Sequence, residues 1–131
     1  MYNDIGYKSN TRIKSTGETI DLAATYRNTL TGLIPLEKDG DVLHIRGVDS
    51  VTYLDSRWCG YLSLWDSTGG FLAGSVVIQP ETVSIDKNGD FAMVLDYAEL
   101  TITNYPTASY IRLQLGEVTD KLIITRNQLI D

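Results

Sequence analysis

The sequence predicts an all-β protein, an antiparallel β-sandwich whose best single arrangement is a jelly roll. Three observations lead there. Apolar residues alternate with polar ones in short runs, turn residues recur about every 8 to 12 positions, and no residue series keeps helical spacing for three turns. Roughly eight strands follow from this punctuation. Residues 1 to 131 form a single domain, enough chain to bury a continuous core without covalent staples.

The first fourteen residues are polar and aromatic, with Gly6-Tyr7 and Ser9-Asn10 marking irregular backbone before a short strand at Arg12 to Lys14. Ser15-Thr16-Gly17 turns the chain. Glu18 to Thr25 alternates Ile20 and Leu22 with polar partners, which favours a strand over the helical turn that Asp21 to Arg27 would also permit. In the stretch TGLIPLEKDGDVLHIRGV, Leu33 to Leu36 forms a short strand, held short or at an edge by Pro35. A charged turn ending in Gly40-Asp41 then leads to the alternating run Val42 to Val48, the pattern of strand, tight reversal, strand. On a period of two, Leu43 and Ile45 face the core while His44 and Arg46 face solvent.

Asp49 to Trp58 reads as a polar loop. Tyr61 to Trp65 is a central strand, with Leu62 and Leu64 on one side and Tyr61, Ser63 and Trp65 on the other. The DSTGG turn, Asp66 to Gly70, returns the chain as Phe71 to Ile78, the partner strand of a hairpin. After Pro80, Thr82 to Ile85 is a brief strand. The Asn88-Gly89 turn then opens the alternating run Phe91 to Tyr97. Thr101 to Thr103 and the Asn104-Tyr105-Pro106 turn precede a strand at Tyr110 to Leu115, where Ile111, Leu113 and Leu115 alternate with Tyr110, Arg112 and Gln114. Gly116 to Asp120 connects to the last strand, Lys121 to Arg126. No repeat, heptad or low-complexity tract is visible.

Eleven basic and seventeen acidic side chains give a net charge of −6 and a pI near 4.6, a field that repels nucleic acid and anionic membrane surfaces. No apolar run approaches the roughly 20 residues needed to span a bilayer, and the segment MYNDIGYKSN lacks the basic and apolar regions of a signal peptide. Action outside a cell would therefore require assembly into a larger particle, lysis, or excision from a longer polypeptide. The single cysteine, Cys59, excludes an internal disulfide and reads as a lone buried thiol.

Three motifs carry chemistry. Asp86-x-Asn88-x-Asp90 places oxygen ligands at alternating positions, as a calcium loop does. Phe91 stands where an EF-hand needs glycine and Tyr97 where it needs glutamate, so a hairpin turn is the favoured reading and no cofactor or metal is expected. His44 is the only imidazole. It lies in a strand beside Arg46 with no G-x-S-x-G nucleophile motif, which argues against a serine hydrolase. The third motif is the segment Tyr53 to Trp65, in which Tyr53, Trp58, Tyr61 and Trp65 are interleaved with Asp55 and Arg57. Sugar rings present apolar C–H faces and a girdle of hydroxyls, so a glycan site needs a flat aromatic platform beside carboxylates or guanidinium groups. This segment supplies both. Its bland alternative is that Tyr61 and Trp65 pack the core, which is favoured for those two, while Tyr53, Asp55, Arg57 and Trp58 sit in a loop. A second grouping, His44, Arg46, Arg112 and Gln114, forms if their strands are neighbours; a solvated face is the default.

The segments GYKSNTRIKSTG, TGLIPLEKDGDVLHIRGV, GYLSLWDSTGGFLAG and SYIRLQLGEVTDKLIITRN, in this order and spacing, resemble β-sandwich accessory and receptor-binding modules of tail and baseplate-associated proteins of phages infecting Gram-positive bacteria. The resemblance covers most of the chain and is thinnest over Thr82 to Asn104. The strand at Tyr110 is similar to late strands of galactose-binding-like jelly rolls. Such motifs mark packing and turns, so they carry a fold more readily than a function. The resemblance implies a non-catalytic module, on the virion or extracellular after release, that binds host-surface carbohydrate and contacts other tail proteins. The alternative is a structural or homo-oligomerising module with no ligand of its own.

Overall fold

The structure is a computed structural model that describes residues 6–22, 28–36, 42–48, 61–78, 81–84, 90–95 and 105–130. Twelve strands run through them: β1 (Tyr7–Ser9), β2 (Thr11–Ile13), β3 (Thr19–Asp21), β4 (Thr29–Thr31), β5 (Ile34–Pro35), β6 (Val42–Val48), β7 (Leu62–Asp66), β8 (Phe71–Ile78), β9 (Glu81–Ser84), β10 (Phe91–Val94), β11 (Ala108–Leu115) and β12 (Val118–Arg126). Every pairing among the described residues is antiparallel. One sheet has the order β1-β4-β11-β7-β8, with β5 also on β11; the second has the order β12-β6-β10-β9; β2 and β3 form a hairpin. No described helix is long and apolar enough to cross a membrane.

The main core lies between the two sheets. Ile34, Leu62, Leu64, Ile111, Leu113 and Leu115 from the first sheet meet Leu43, Ile45, Met93 and Ile124 from the second in one buried cluster. These are alternate positions on their strands, as a period of two requires when one face is buried. The all-β sandwich expected from the sequence is present; Leu43 and Ile45, the core positions expected on β6, are among its most buried side chains, as are the aliphatic sides of β7 and β11.

The stretch from Thr31 to Val48 departs from expectation. It reads as a hairpin, but β5 pairs with β11 in one sheet and β6 pairs with β10 and β12 in the other. The connection crosses between sheets. Ile34 on one side and Leu43 and Ile45 on the other bury against each other as opposing layers. Periodicity marks a strand and its buried side, but it does not name the partner. The hairpins expected at Asp66–Gly70 and across Asn88-Gly89 are present as β7–β8 and β9–β10. The turn residues Asp86 to Gly89 themselves, with Cys59, Tyr97 and Thr101 to Thr103, lie outside the described residues.

Twelve described strands exceed the roughly eight expected; β1 and β4, which no expected strand covers, are three-residue pieces too short to show alternation. Expected boundaries shift as well. The strand placed at Arg12 to Lys14 spans Thr11–Ile13, and that placed over Glu18 to Thr25 is described as a strand at Thr19–Asp21. The final strand begins at Val118 rather than Lys121. There β12 covers five positions from Val118 to Ile123 while β6 covers two from Val48 to Arg46, a bulge that hides a strand start in the sequence. Gly47 makes the bulge feasible: at φ +95°, a Cβ here would lie 2.3 Å from the Lys121 carbonyl oxygen.

A second packing layer covers part of the first sheet's outer face. Ile13 from the β2–β3 hairpin, Leu30 from β4 and Trp65 from β7 form a separate buried cluster, flanked by Phe71 and Tyr110. At the hairpin's turn Gly17 has φ +89°, and a Cβ on it would fall 2.6 Å from the Phe71 ring, so only glycine lets the turn lie this close to β8.

Candidate functional site

The outer face of the first sheet is where the described part of the Tyr53 to Trp65 segment lies. Register places Arg112 opposite Ser63 and Tyr110 opposite Trp65, and the Gln114 amide donates to the Tyr61 carbonyl at 2.9 Å. Tyr61, Ser63, Arg112 and Gln114, with Ile13, Leu30 and Leu62, line a small, half-open recess of about 10 Å³, room for roughly one water molecule.

Each side chain around it has a defined task. Gln114 donates both amide hydrogens, to the Thr11 carbonyl at 2.7 Å and the Thr29 carbonyl at 3.2 Å, and so ties the hairpin to the sheet. The Trp65 indole donates to Ser63 Oγ at 2.9 Å. Its ring takes the edge of Phe71 at 5.3 Å and the Arg112 guanidinium at 5.4 Å from the centroid. With 8% of its surface exposed, Trp65 takes the packing role and offers no open platform to a sugar. Tyr61 is half-buried at the recess and its hydroxyl has no hydrogen-bond partner among the described residues. Tyr53, Asp55, Arg57 and Trp58 lie outside the described residues.

Among the described residues Arg112 is held by one side-chain hydrogen bond, from Nε to the Thr31 carbonyl at 2.8 Å, and by its cation–π contact with the Trp65 ring. Burial lowers its pKa from the ordinary guanidinium value. An arginine remains charged in any case.

The grouping of His44 and Arg46 with Arg112 and Gln114 is not formed. β6 and β11 belong to different sheets, and both pairs point away from the shared core, to opposite outer faces. Nor do His44 and Arg46 face open solvent as expected. His44 is 9% exposed, between Ala92 and Thr125 in the register, and its Nδ1 is buried without a partner. The Thr125 hydroxyl, its cross-strand neighbour, donates to the Gln128 carbonyl. Arg46 donates from Nε and Nη2 to the two carboxylate oxygens of Asp90, each at 2.8 Å, and from Nη2 to the Ile130 carbonyl at 3.3 Å.

The physical reason is a return of the chain. At Asn127 φ is +54°, its Oδ1 accepts from the Val42 amide, and its own amide donates to the Val42 carbonyl, both at 2.8 Å. The C-terminal residues thus lie back along β6. Sequence periodicity did not register this, although an asparagine directly after the last strand, a residue tolerant of the left-handed region, was a usable signal. Asp90, the third ligand position of the calcium-like motif, is committed with both oxygens to Arg46. Among the described residues no group of three histidine, cysteine, aspartate or glutamate side chains is placed to hold a metal ion.

Comparison with known proteins found no matching family model, no matching curated protein and no matching solved structure.

Proposed function

We propose that this chain is a non-catalytic attachment module of a phage tail or baseplate, galactose-binding-like in its jelly-roll winding, that binds host-surface carbohydrate. The observation that carries this reading is the placement of Tyr61. It leads out of the aromatic segment Tyr53 to Trp58 onto the sheet face, half-buried, with an uncommitted hydroxyl beside Arg112. An aromatic ring next to a guanidinium suits a sugar, whose C–H face packs on the ring while its hydroxyls meet the charged donor. Trp65 stands behind this pair as support for Arg112. The non-catalytic part of the reading is supported by the position of His44, whose described cross-strand neighbours are Ala92 and a threonine bonded elsewhere.

A glycan array with the wild type and the variants Tyr61→Ala, Trp58→Ala and Arg57→Ala tests the proposal. Binding by the wild type that Tyr61→Ala and at least one loop variant abolish supports it; binding that all three leave intact moves the site elsewhere.

A second reading, a structural or homo-oligomerising tail module, is favoured by a different observation. All three residues of the edge strand β1 are exposed, and Tyr7 (47%) lies near Leu33 (40%) at the same end of the sheet. A strand at the edge of its sheet among the described residues, with exposed Tyr7 and Leu33 at one end, is a template for pairing. Light scattering distinguishes the two: a concentration-independent monomer that binds glycan excludes the second.

A further inference from the structure

From the chemistry around the recess we infer that Arg112 is an oxyanion-binding residue, so that the ligand carries a carboxylate or phosphate group rather than being a neutral sugar. The inference rests on the attachment reading only for the identity of the larger ligand; the anion site stands on its own geometry.

Three features carry it. First, Arg112 is half-buried yet has no acidic partner among the described residues, where the carboxylate ion pairs are Lys14 with Glu18 and Arg46 with Asp90. In a chain of net charge −6, acidic groups to neutralise a guanidinium are plentiful, and here none does. Second, the guanidinium is fixed before any ligand arrives. Its Nε is engaged with the Thr31 carbonyl and its charge lies over the Trp65 ring, 5.4 Å from the centroid, while the indole itself is pinned to Ser63. The two terminal nitrogens, with no hydrogen bond among the described residues, form the fork that grips two oxygens of one carboxylate or phosphate. Third, what remains uncommitted beside it is another donor. The Gln114 amide hydrogens and the Ser63 hydroxyl are already engaged, whereas the Tyr61 hydroxyl is not. Arg112 and Tyr61 both line this small recess, to which no described carboxylate contributes, and a guanidinium with a phenol suits an oxygen-rich anion at its mouth.

The test is a titration of the full chain with methyl glucuronide, glycerol phosphate, inorganic phosphate and, as the neutral control, methyl glucoside, followed by NMR at the Trp65 indole N–H and the Arg112 Nε–H. We expect both signals to move with the anions and not with methyl glucoside. Arg112→Lys, which keeps the charge but loses the fork, should weaken anion binding by about 10- to 100-fold, the range of a hydrogen bond to a charged group. Tyr61→Phe, which leaves the stack untouched, should weaken it less. The uronic acid and phosphate arms separate an acidic sugar from a phosphate-bearing polyol.

Binding of neutral glycans on the array with no anion response in the titration overturns the inference and leaves the attachment reading standing. An anion response with a silent array does the reverse. Anion binding that Arg112→Lys and Arg112→Gln both preserve also overturns the inference, as does the absence of any response.

Discussion

Arg46 and Asp90 meet across the second sheet as a two-pronged ion pair, Nε to Oδ1 and Nη2 to Oδ2, each at 2.8 Å, joining β6 to the residue that precedes β10. The two partners are unequally buried: the Arg46 side chain is 29% exposed and that of Asp90 only 2%. Removing the cation leaves a carboxylate in the interior, whereas removing the carboxylate leaves a guanidinium that still reaches water. Arg46→Met should therefore cost about 3 kcal/mol or more, the scale for breaking a buried pair, and Asp90→Asn clearly less. Urea unfolding of the two variants and of the double variant checks the asymmetry.

Gly47 should not tolerate a side chain. The neighbour a Cβ would strike is the Lys121 backbone, which cannot swing aside, and the φ of +95° disfavours any L-residue. Gly47→Ala should lower stability by about 2 kcal/mol, within the range for strained backbone. Thermal unfolding measures this. An unchanged midpoint would mean that the bulge of β12 relaxes freely.

Trp65 and Tyr61 should separate in their phenotypes. Trp65→Ala empties the cluster with Ile13 and Leu30 and frees Arg112 from its stack, a loss of about 3 to 5 kcal/mol for a large buried aromatic. Tyr61→Ala should cost less in stability while abolishing ligand binding. Parallel denaturation and binding measurements read both, and equal destabilisation by the two variants would count against a surface role for Tyr61.

Asp66 builds a turn whose strength depends on its charge. Its Oδ1 accepts from the Thr68 hydroxyl at 2.7 Å, the Gly70 amide at 2.8 Å and the Thr68 amide at 2.9 Å. The Thr68 side-chain hydrogen bond, then the Gly70 backbone hydrogen bond, lowers the pKa below the ordinary aspartate value. A lowered folded pKa means that the native state holds on to fewer protons. The contribution is thus fully present above about pH 4 and lost as pH falls through the folded value. Wild type and Asp66→Ala should differ in stability at pH 6, and the difference should shrink as the pH falls below the ordinary aspartate value. Denaturation series at several pH values check the direction.

The sequence alone carries the all-β class of fold and the alternating sides of its strands. Leu43, Ile45, Leu62, Leu64, Ile111, Leu113 and Leu115 are core residues because strand geometry has a strict period of two, which any alternating run displays. It also determined the β7–β8 and β9–β10 hairpins, since their turns are local and chemically marked. Only the tertiary structure decided which sheet each strand joins, because pairing energy depends on the partner and not on the strand's own pattern. That decision sent His44 and Arg46 to one face and Arg112 and Gln114 to the other. It likewise decided how wet each outer face is. A polar residue facing outward reads as solvated until another segment lies over it, as residues from Asn127 onward do on the second sheet and the β2–β3 hairpin does on the first. Arg112 shows the limit most plainly: its outward position was legible, but the missing acidic partner and the Trp65 beneath it are facts of three dimensions.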